Sequence, residues 1–240
     1  MIANAIRRIL DFIGLVPLKF PIAEVVEIKE LSPTMRQIRL GGSFEKLNIV
    51  GGSYLSFKLN YTQTRTYTLS TIDTNKGFLE FIVYLHPSVG TGQRFIKELR
   101  LGDKISMNSL RSNSHYLDLP TSKLVFFGDE TSIGLAHALF RKWSVQAIEF
   151  LFLFELEEEN KSVPEKLGFS NTLVFSKRDT FRQEKLISQL PPIISPLWKD
   201  AVFLLTGNAK SIQIFRKVIK DKTTSKVYMR GYWIEGIEGL

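Results

Sequence analysis

Arg65-Thr66-Tyr67-Thr68 sets a cation and a phenol two positions apart in a stretch with strand-like alternation. Successive strand side chains point to opposite faces, so Arg65 and Tyr67 share one face and Thr66 and Thr68 the other. That pairing suits a flavin nucleotide. The guanidinium would pair with pyrophosphate and the phenol ring would pack on the isoalloxazine face, leaving the following backbone and the Thr68 hydroxyl for the ring edge. The same residues would also serve a tyrosine packed across a barrel beside a surface arginine. Further along, Gly90-Thr91-Gly92-Gln93 opens a helix, where free N–H groups and the positive end of the dipole bind phosphate, and Arg94 adds charge. An ordinary glycine turn capped by threonine has the same appearance. His86 ends an aromatic strand, placed either to hydrogen-bond an adenine or ribose or to face water.

Two loops in the second half are candidates for a nucleotide donor. Gly128-Asp129-Glu130-Thr131-Ser132 follows a strand and precedes a helix, at the carboxyl edge where open α/β sheets bind ligands. Thr131 or Ser132 is expected to cap that helix and face a nicotinamide. Asp129 and Glu130 could equally be first-turn acids that stabilise the dipole. Thr206-Gly207-Asn208-Ala209 stands in the equivalent place after a later strand, without the Gly-x-Gly-x-x-Gly fingerprint.

The elements that must position these residues fall into two rhythms. From Pro21 to Met107 the period is mainly two, giving strands at 22–29, 35–40, 54–59, 65–70, 78–85 and 104–107, with one helix at 91–99. Short strands at even spacing predict a closed antiparallel barrel, which leaves no exposed edge. Beyond Pro120, apolar strands at 124–127, 148–154, 172–175, 201–205 and 226–229 accompany amphipathic helices. These are expected at 132–143, 181–189 (stopped by Pro191-Pro192) and 209–220. That rhythm predicts a parallel sheet covered on both faces. The expected domains are 1–118, a barrel with an N-terminal helix, and 119–240, an α/β domain of nucleotide-binding type; the boundary falls near 116–122.

Composition narrows the chemistry. With 240 residues, 44% hydrophobic, the chain can bury two cores. It contains no cysteine, which removes disulfides, thiolate-held metals and a cysteine nucleophile. His86, His115 and His137 show no ligand spacing, so no metal site is expected. A net charge of +8 fits either a lysine-rich surface or an anionic partner, and no nucleic-acid motif accompanies it. Apolar residues at 2, 6, 9, 10 and 13 predict an amphipathic helix that docks on its own domain. With no run near the ~20 residues of a membrane span, no stable insertion is expected and the protein reads as cytoplasmic.

Taken in order, Arg65–Thr68, Leu85-His86, Gly90–Phe95, Gly102-Asp103, Gly128–Thr131, Thr206–Ala209 with Arg216, and Gly231-Tyr232-Trp233 resemble the siderophore-interacting protein family. These are FAD-dependent ferric-siderophore reductases of the ferredoxin-reductase-like superfamily. The resemblance implies an FAD-binding barrel followed by a nucleotide-type α/β domain. It implies FAD held by Arg65, Tyr67 and Thr68, with its pyrophosphate over Gly90, Thr91, Gly92 and Gln93. Leu69, Ser70, Val83, His86 and Thr131 complete the candidate flavin set. Gly128, Asp129, Glu130, Ser132, Gly207 and Asn208 form the candidate donor set, for NADPH, NADH or a ferredoxin. A ferric siderophore, as an anionic chelate, is the implied substrate, with Lys58, Arg111, Lys226 and Arg230 as its candidate contacts. No side-chain acid or base is required, since the cofactor carries the redox chemistry. The alternatives are a flavin reductase with another acceptor and a non-catalytic carrier of flavin or ferric chelate. The chain departs from the family pattern at Ser70 where arginine is usual, Gln93 for serine, Asn208 for glutamate, and Ile234-Glu235-Gly236 where arginines often follow the tryptophan.

Overall fold

A computed structural model describes residues 22–45, 47, 49–58, 64–86, 90–111, 119, 121–146 and 148–236. The expected N-terminal helix and most of the expected domain boundary lie outside the described residues. In the first half, β1 (Ile22–Ser32), β2 (Met35–Gly41), β3 (Tyr54–Lys58), β4 (Thr64–Asp73), β5 (Phe78–Tyr84) and β6 (Lys104–Arg111) form a closed barrel in the order β1-β2-β5-β4-β3-β6. All its pairings are antiparallel. Alternation fills the interior with Val25, Ile38, Leu40, Leu55, Phe57, Leu69, Phe81 and Met107. Helix α1 (Thr91–Glu98) adds Ile96 to that core. The β4–β5 turn depends on Gly77, at φ 68°, whose carbonyl accepts from the Gly42 N–H at 3.0 Å.

The second half is a parallel sheet of β7 (Lys123–Gly128), β8 (Glu149–Leu156), β9 (Thr172–Ser176), β10 (Val202–Asn208) and β11 (Val227–Trp233). Its order, β11-β10-β7-β8-β9, reverses direction between β7 and β10, and ligand crevices form at such switch points. Helices cover both faces: α2 (Ile133–Trp143) with Phe126, Phe152 and Phe154 on one side, and α6 (Ala209–Lys222) with Phe127, Leu153 and Phe203 on the other.

The expected helix at 181–189 does not form as one piece. A single 3-10 turn at Thr180–Arg182 precedes α4 (Glu184–Ile187), because Gln183 between them is extended at φ −130° and ψ 106°. Pro191 and Pro192 open a further short helix, α5 (Pro191–Ile194), at its first positions; they tolerate the missing N–H there. Between β8 and β9 stands a four-residue helix that the periodicity does not suggest, α3 (Val163–Lys166).

Helix α2 joins the two halves. A Cβ on Gly134 would lie 3.3 Å from the Thr68 carbonyl oxygen and 3.6 Å from that of Ile82, so the helix lies directly on β4 and β5. One core is continuous across this junction, with Leu31, Met35 and Ile82 of the barrel packed among Phe126, Trp143 and Phe152. Polar ties reinforce it: the Ser32 hydroxyl donates to Asn160 Oδ1 at 2.5 Å, and Lys166 Nζ donates to the Leu31 carbonyl at 2.7 Å.

Gly134→Val would force three carbons against backbone that cannot yield, an overpacking cost of about 1–3 kcal/mol. The expected result is a lower urea midpoint, with Val145→Ala, at a side chain 85% exposed, unchanged as the control. An unaltered midpoint for Gly134→Val would contradict the close approach.

Candidate functional site

The start of α1 has the chemistry of a phosphate site. Gly90 is its extended N-cap and, as a glycine, supplies no side-chain cap. Arg65 lies over the same turn: a Cβ on Gly92 would come within 2.9 Å of Arg65 Cγ and 3.2 Å of Nε, so only glycine admits this approach. The exposed Arg65 side chain donates to the Thr64 carbonyl through Nη1 at 3.0 Å. Gln93 donates from Nε2 to the Tyr84 carbonyl at 3.1 Å, while its buried Oε1 has no partner among the described residues. Guanidinium and helix amides together form a donor set that fits a pyrophosphate.

Tyr67 shares the face of Arg65, as alternation predicts, and is half-buried, with Phe57 at 5.7 Å and Phe81 at 5.5 Å between ring centroids. Burial pushes its phenol up to about 12, against a small opposing pull from Arg65, so it stays protonated. Leu69 and Val83 are barrel core, and Ser70 is buried with its hydroxyl donating to the Glu80 carbonyl. Those three side chains therefore support the strands and do not open onto a crevice. The Thr68 carbonyl faces α2. Burial lowers the His86 pKa, and Lys177 and Lys97 lower it further, which leaves a neutral imidazole near the Tyr84 ring.

The carboxyl edge of the sheet is organised around Asp129, which is fully buried. Its Oδ1 accepts from the Thr131 N–H at 2.9 Å and the Thr131 hydroxyl at 2.5 Å, and its Oδ2 accepts from Trp233 Nε1 at 2.6 Å. Asp129 thus caps the 3-10 turn Glu130–Ser132, while Ser132 stands at the N-cap position of α2 without a side-chain cap bond. Burial raises its carboxyl pKa, while the hydrogen bonds to Thr131 and Trp233 pull the other way. Gly207, at φ 100°, belongs to the same arrangement, since any Cβ there would meet Asp129 Cγ at 2.6 Å. Glu130 is the first-turn acid of this 3-10 turn, and it has partners beyond the turn. It is buried, accepts from the Glu157 N–H at 2.7 Å and pairs with Lys177 Nζ at 2.6 Å. Burial alone would lower the Lys177 ammonium, but the Glu130 charge and hydrogen bond outweigh it. Asn208 caps α6, its Oδ1 accepting from the N–H groups of Lys210 and Ser211.

Lys177 connects the two regions. Its Nζ stands 5.0 Å from the centroid of Tyr84, whose carbonyl holds Gln93, and 5.3 Å from that of Trp233, which holds Asp129. Sequence reasoning passed over Lys177, Arg178 and Arg182, although they follow β9 as Gly128-Asp129 follows β7. The carboxyl-edge rule applied to every strand would have found them.

The two candidate substrate cations with described side chains, Lys226 and Arg230, stand in different surroundings. Lys226 precedes β11 and so lies at the amino edge of the sheet, opposite the crevice, over Tyr228 at 5.2 Å. Arg230 reaches the barrel, 5.4 Å over the Tyr54 ring. Lys58 and Arg111 end β3 and β6, with side chains outside the described residues.

Residues 22–127 match the family described as the oxidoreductase FAD-binding domain. No curated protein sequence matches the chain. The fold is similar to that of a siderophore-interacting protein from Acinetobacter baumannii, with a TM-score of 0.73 at 15% identity over 92% of this chain and 93% of that one. A siderophore-interacting protein from Aeromonas hydrophila gives 0.71 at 18% identity over 92% and 94%. Phthalate dioxygenase reductase, described as a modular structure for electron transfer from pyridine nucleotides to a two-iron, two-sulfur centre, gives 0.70 at 12% over 91% and 70%.

On β8 the buried Glu155 occupies a position that alternation with Leu151 and Leu153 assigns to the core under α6. Burial pushes its carboxyl up to about 7; the Ser211 hydroxyl opposes this and Asp129 adds to it. The folded protein therefore keeps this proton to about pH 7, whereas the unfolded chain releases it near the ordinary 4.5. Stability from Glu155 must then fall as pH rises through that window. Glu155→Gln, which never ionises, should gain on the wild type across it, toward about 3 kcal/mol, and level off above. Urea midpoints at pH 5 and pH 8 check this, and a pH-independent difference between the two proteins would contradict it.

Residues 22–127 thus match the model of oxidoreductase FAD-binding domains, and the chain shares its fold with the two siderophore-interacting proteins and with phthalate dioxygenase reductase.

Proposed function

We propose that the protein is a cytoplasmic flavoprotein that reduces an anionic ferric chelate of the siderophore class to Fe(II), taking its electrons from NADPH, NADH or a ferredoxin. The observation that carries this reading is Arg65 lying over the uncapped start of α1, in contact through Gln93, Tyr84 and Lys177 with the carboxyl edge of the sheet. Bound FAD supplies the exchange between a two-electron donor and a one-electron acceptor.

The chain's own residues bind and orient. In this reading Arg65 and the amides of Thr91, Gly92 and Gln93 hold the pyrophosphate, Tyr67 supports the ring system, and Thr131 borders the donor side. The exposed Thr131 side chain, fixed by Asp129, suits that role. Burial favours the neutral form of both Tyr67 and His86. The proposed domains are 1–118 for flavin and 119–240 for the donor. No described helix is long and apolar enough to cross a membrane. A second reading, a carrier of flavin or chelate without turnover, is supported by the Trp233–Asp129 hydrogen bond beside Gly207, at the sheet edge a donor would use.

Ferric chelate chemistry separates the readings. FAD-loaded protein, photoreduced without oxygen, is mixed with an anionic ferric tris-catecholate in the presence of an Fe(II) trap. Two Fe(II) per flavin are expected, at a second-order rate that falls as salt rises past ~0.1 M, where the Debye length is about 10 Å. A neutral ferric chelate should respond little to salt. Reduced protein that keeps its electrons in the presence of both chelates would overturn the reductase reading in favour of the carrier.

A further inference from the structure

Past the ends of β9 and β11, three cations converge on a single carboxylate. Glu235 Oε1 lies 3.0 Å from Arg182 Nη2 and 3.4 Å from Arg178 Nε, and its Oε2 lies 3.7 Å from Lys210 Nζ. The cations come from different elements: Arg178 and Arg182 follow β9, and Lys210 belongs to the first turn of α6. The cluster is open to solvent, with Glu235 34% and Lys210 48% exposed, but its floor is not. Arg182 Nη2 also donates to Oδ1 of the buried Asn208 at 3.3 Å. Both Arg182 Nε and Asn208 Nδ2 are buried with no partner among the described residues.

Donors therefore exceed acceptors here. The site offers two guanidinium groups, an ammonium, two unmet N–H donors and the N-terminal end of a fourteen-residue helix. Against them stand one carboxylate, which carries one charge and two oxygens, and Glu155, which approaches Arg182 from β8 with its pKa raised by burial. A phosphate monoester, with nearly two charges and three terminal oxygens, matches such a set better. The crevice edge is also where the proposed donor has to bind.

We infer that Glu235 is an internal competitor for a phosphate monoester at Arg178, Arg182 and Lys210, and that it biases the protein against a donor carrying that group. Specificity of this kind needs an element that disfavours the wrong ligand, and a resident carboxylate supplies it by like-charge repulsion and by occupying the donors. The inference rests on the donor reading above.

NADP+ and NAD+ differ by one phosphate monoester, so they are the probes, with inorganic phosphate as a third. Each is titrated calorimetrically into the full chain supplied with FAD, as wild type, Glu235→Gln and Glu235→Ala. Removing the carboxylate should tighten NADP+ tenfold or more and leave NAD+ within about twofold. Inorganic phosphate should displace NADP+ from the variants. Adding Arg182→Ala to Glu235→Gln should abolish the gain. Unchanged NADP+ affinity in both variants, or equal gains for both dinucleotides, would overturn the inference while the donor reading stands. Failure of both dinucleotides to bind any of the proteins would bring down the donor reading and the inference together. Competition by inorganic phosphate without tighter NADP+ would identify a free-phosphate site and overturn the donor bias.

Discussion

A buried carboxylate at the end of the first sheet strand holds the molecule's working edge together. Asp129 takes three hydrogen bonds, two from Thr131 and one from Trp233, and lies against the bare backbone of Gly207. Through Thr131 it shapes the 3-10 turn that leads into α2, and α2 in turn carries Gly134 onto the barrel. Through Trp233 it draws in the end of β11, where a register shift opposite Gly207 and Asn208 lets the indole reach it. Burying an ionisable group is unfavourable unless its oxygens are satisfied, and here both oxygens are. Asp129 thus links the end of β11 to the turn from which α2 passes onto the barrel.

Its neighbourhood also separates local charge from net charge. The excess of +8 is a property of the whole chain, and several of the described cations are already paired. Lys177 is spent on Glu130 and two aromatic rings, Arg182 on Asn208 and Glu235, and Lys226 lies at the far edge of the sheet. Three acids, Asp129, Glu130 and Glu155, are buried within the same region. What the crevice presents to an anion is therefore set by how these pairs share their partners, and a composition count does not contain that information.

Much of the architecture was legible because alternation carries it. In β8, Phe150, Phe152 and Phe154 face α2 while Leu151 and Leu153 face α6, and an unbroken apolar run of this kind marks a strand buried on both sides. The Arg65–Tyr67 face and the glycine-led start of α1 were readable for the same reason: each depends on a few adjacent residues. Features that depend on distant residues were not. The apolar positions 181, 186, 187 and 190 resemble one helical stripe, but Phe181 packs into the cluster of Phe127 and Phe215 and an extended Gln183 breaks the helix. The second oxygen of Asp129 is met by Trp233, more than a hundred positions away in sequence. Lys226 was misplaced because its end of the sheet is fixed by the parallel direction of β11, which spacing alone does not reveal.

Titration of FAD into the purified full chain, as wild type and as Arg65→Ala, tests the flavin site most directly. The wild type is expected to take up one FAD per chain. Loss of the guanidinium removes a charge-assisted hydrogen bond of about 1.5–3 kcal/mol, so Arg65→Ala should bind FAD at least tenfold more weakly with its melting temperature in the absence of FAD unchanged. A wild type that takes up no FAD, or an Arg65→Ala protein that binds it equally well, would contradict a flavin site built on Arg65 and the start of α1.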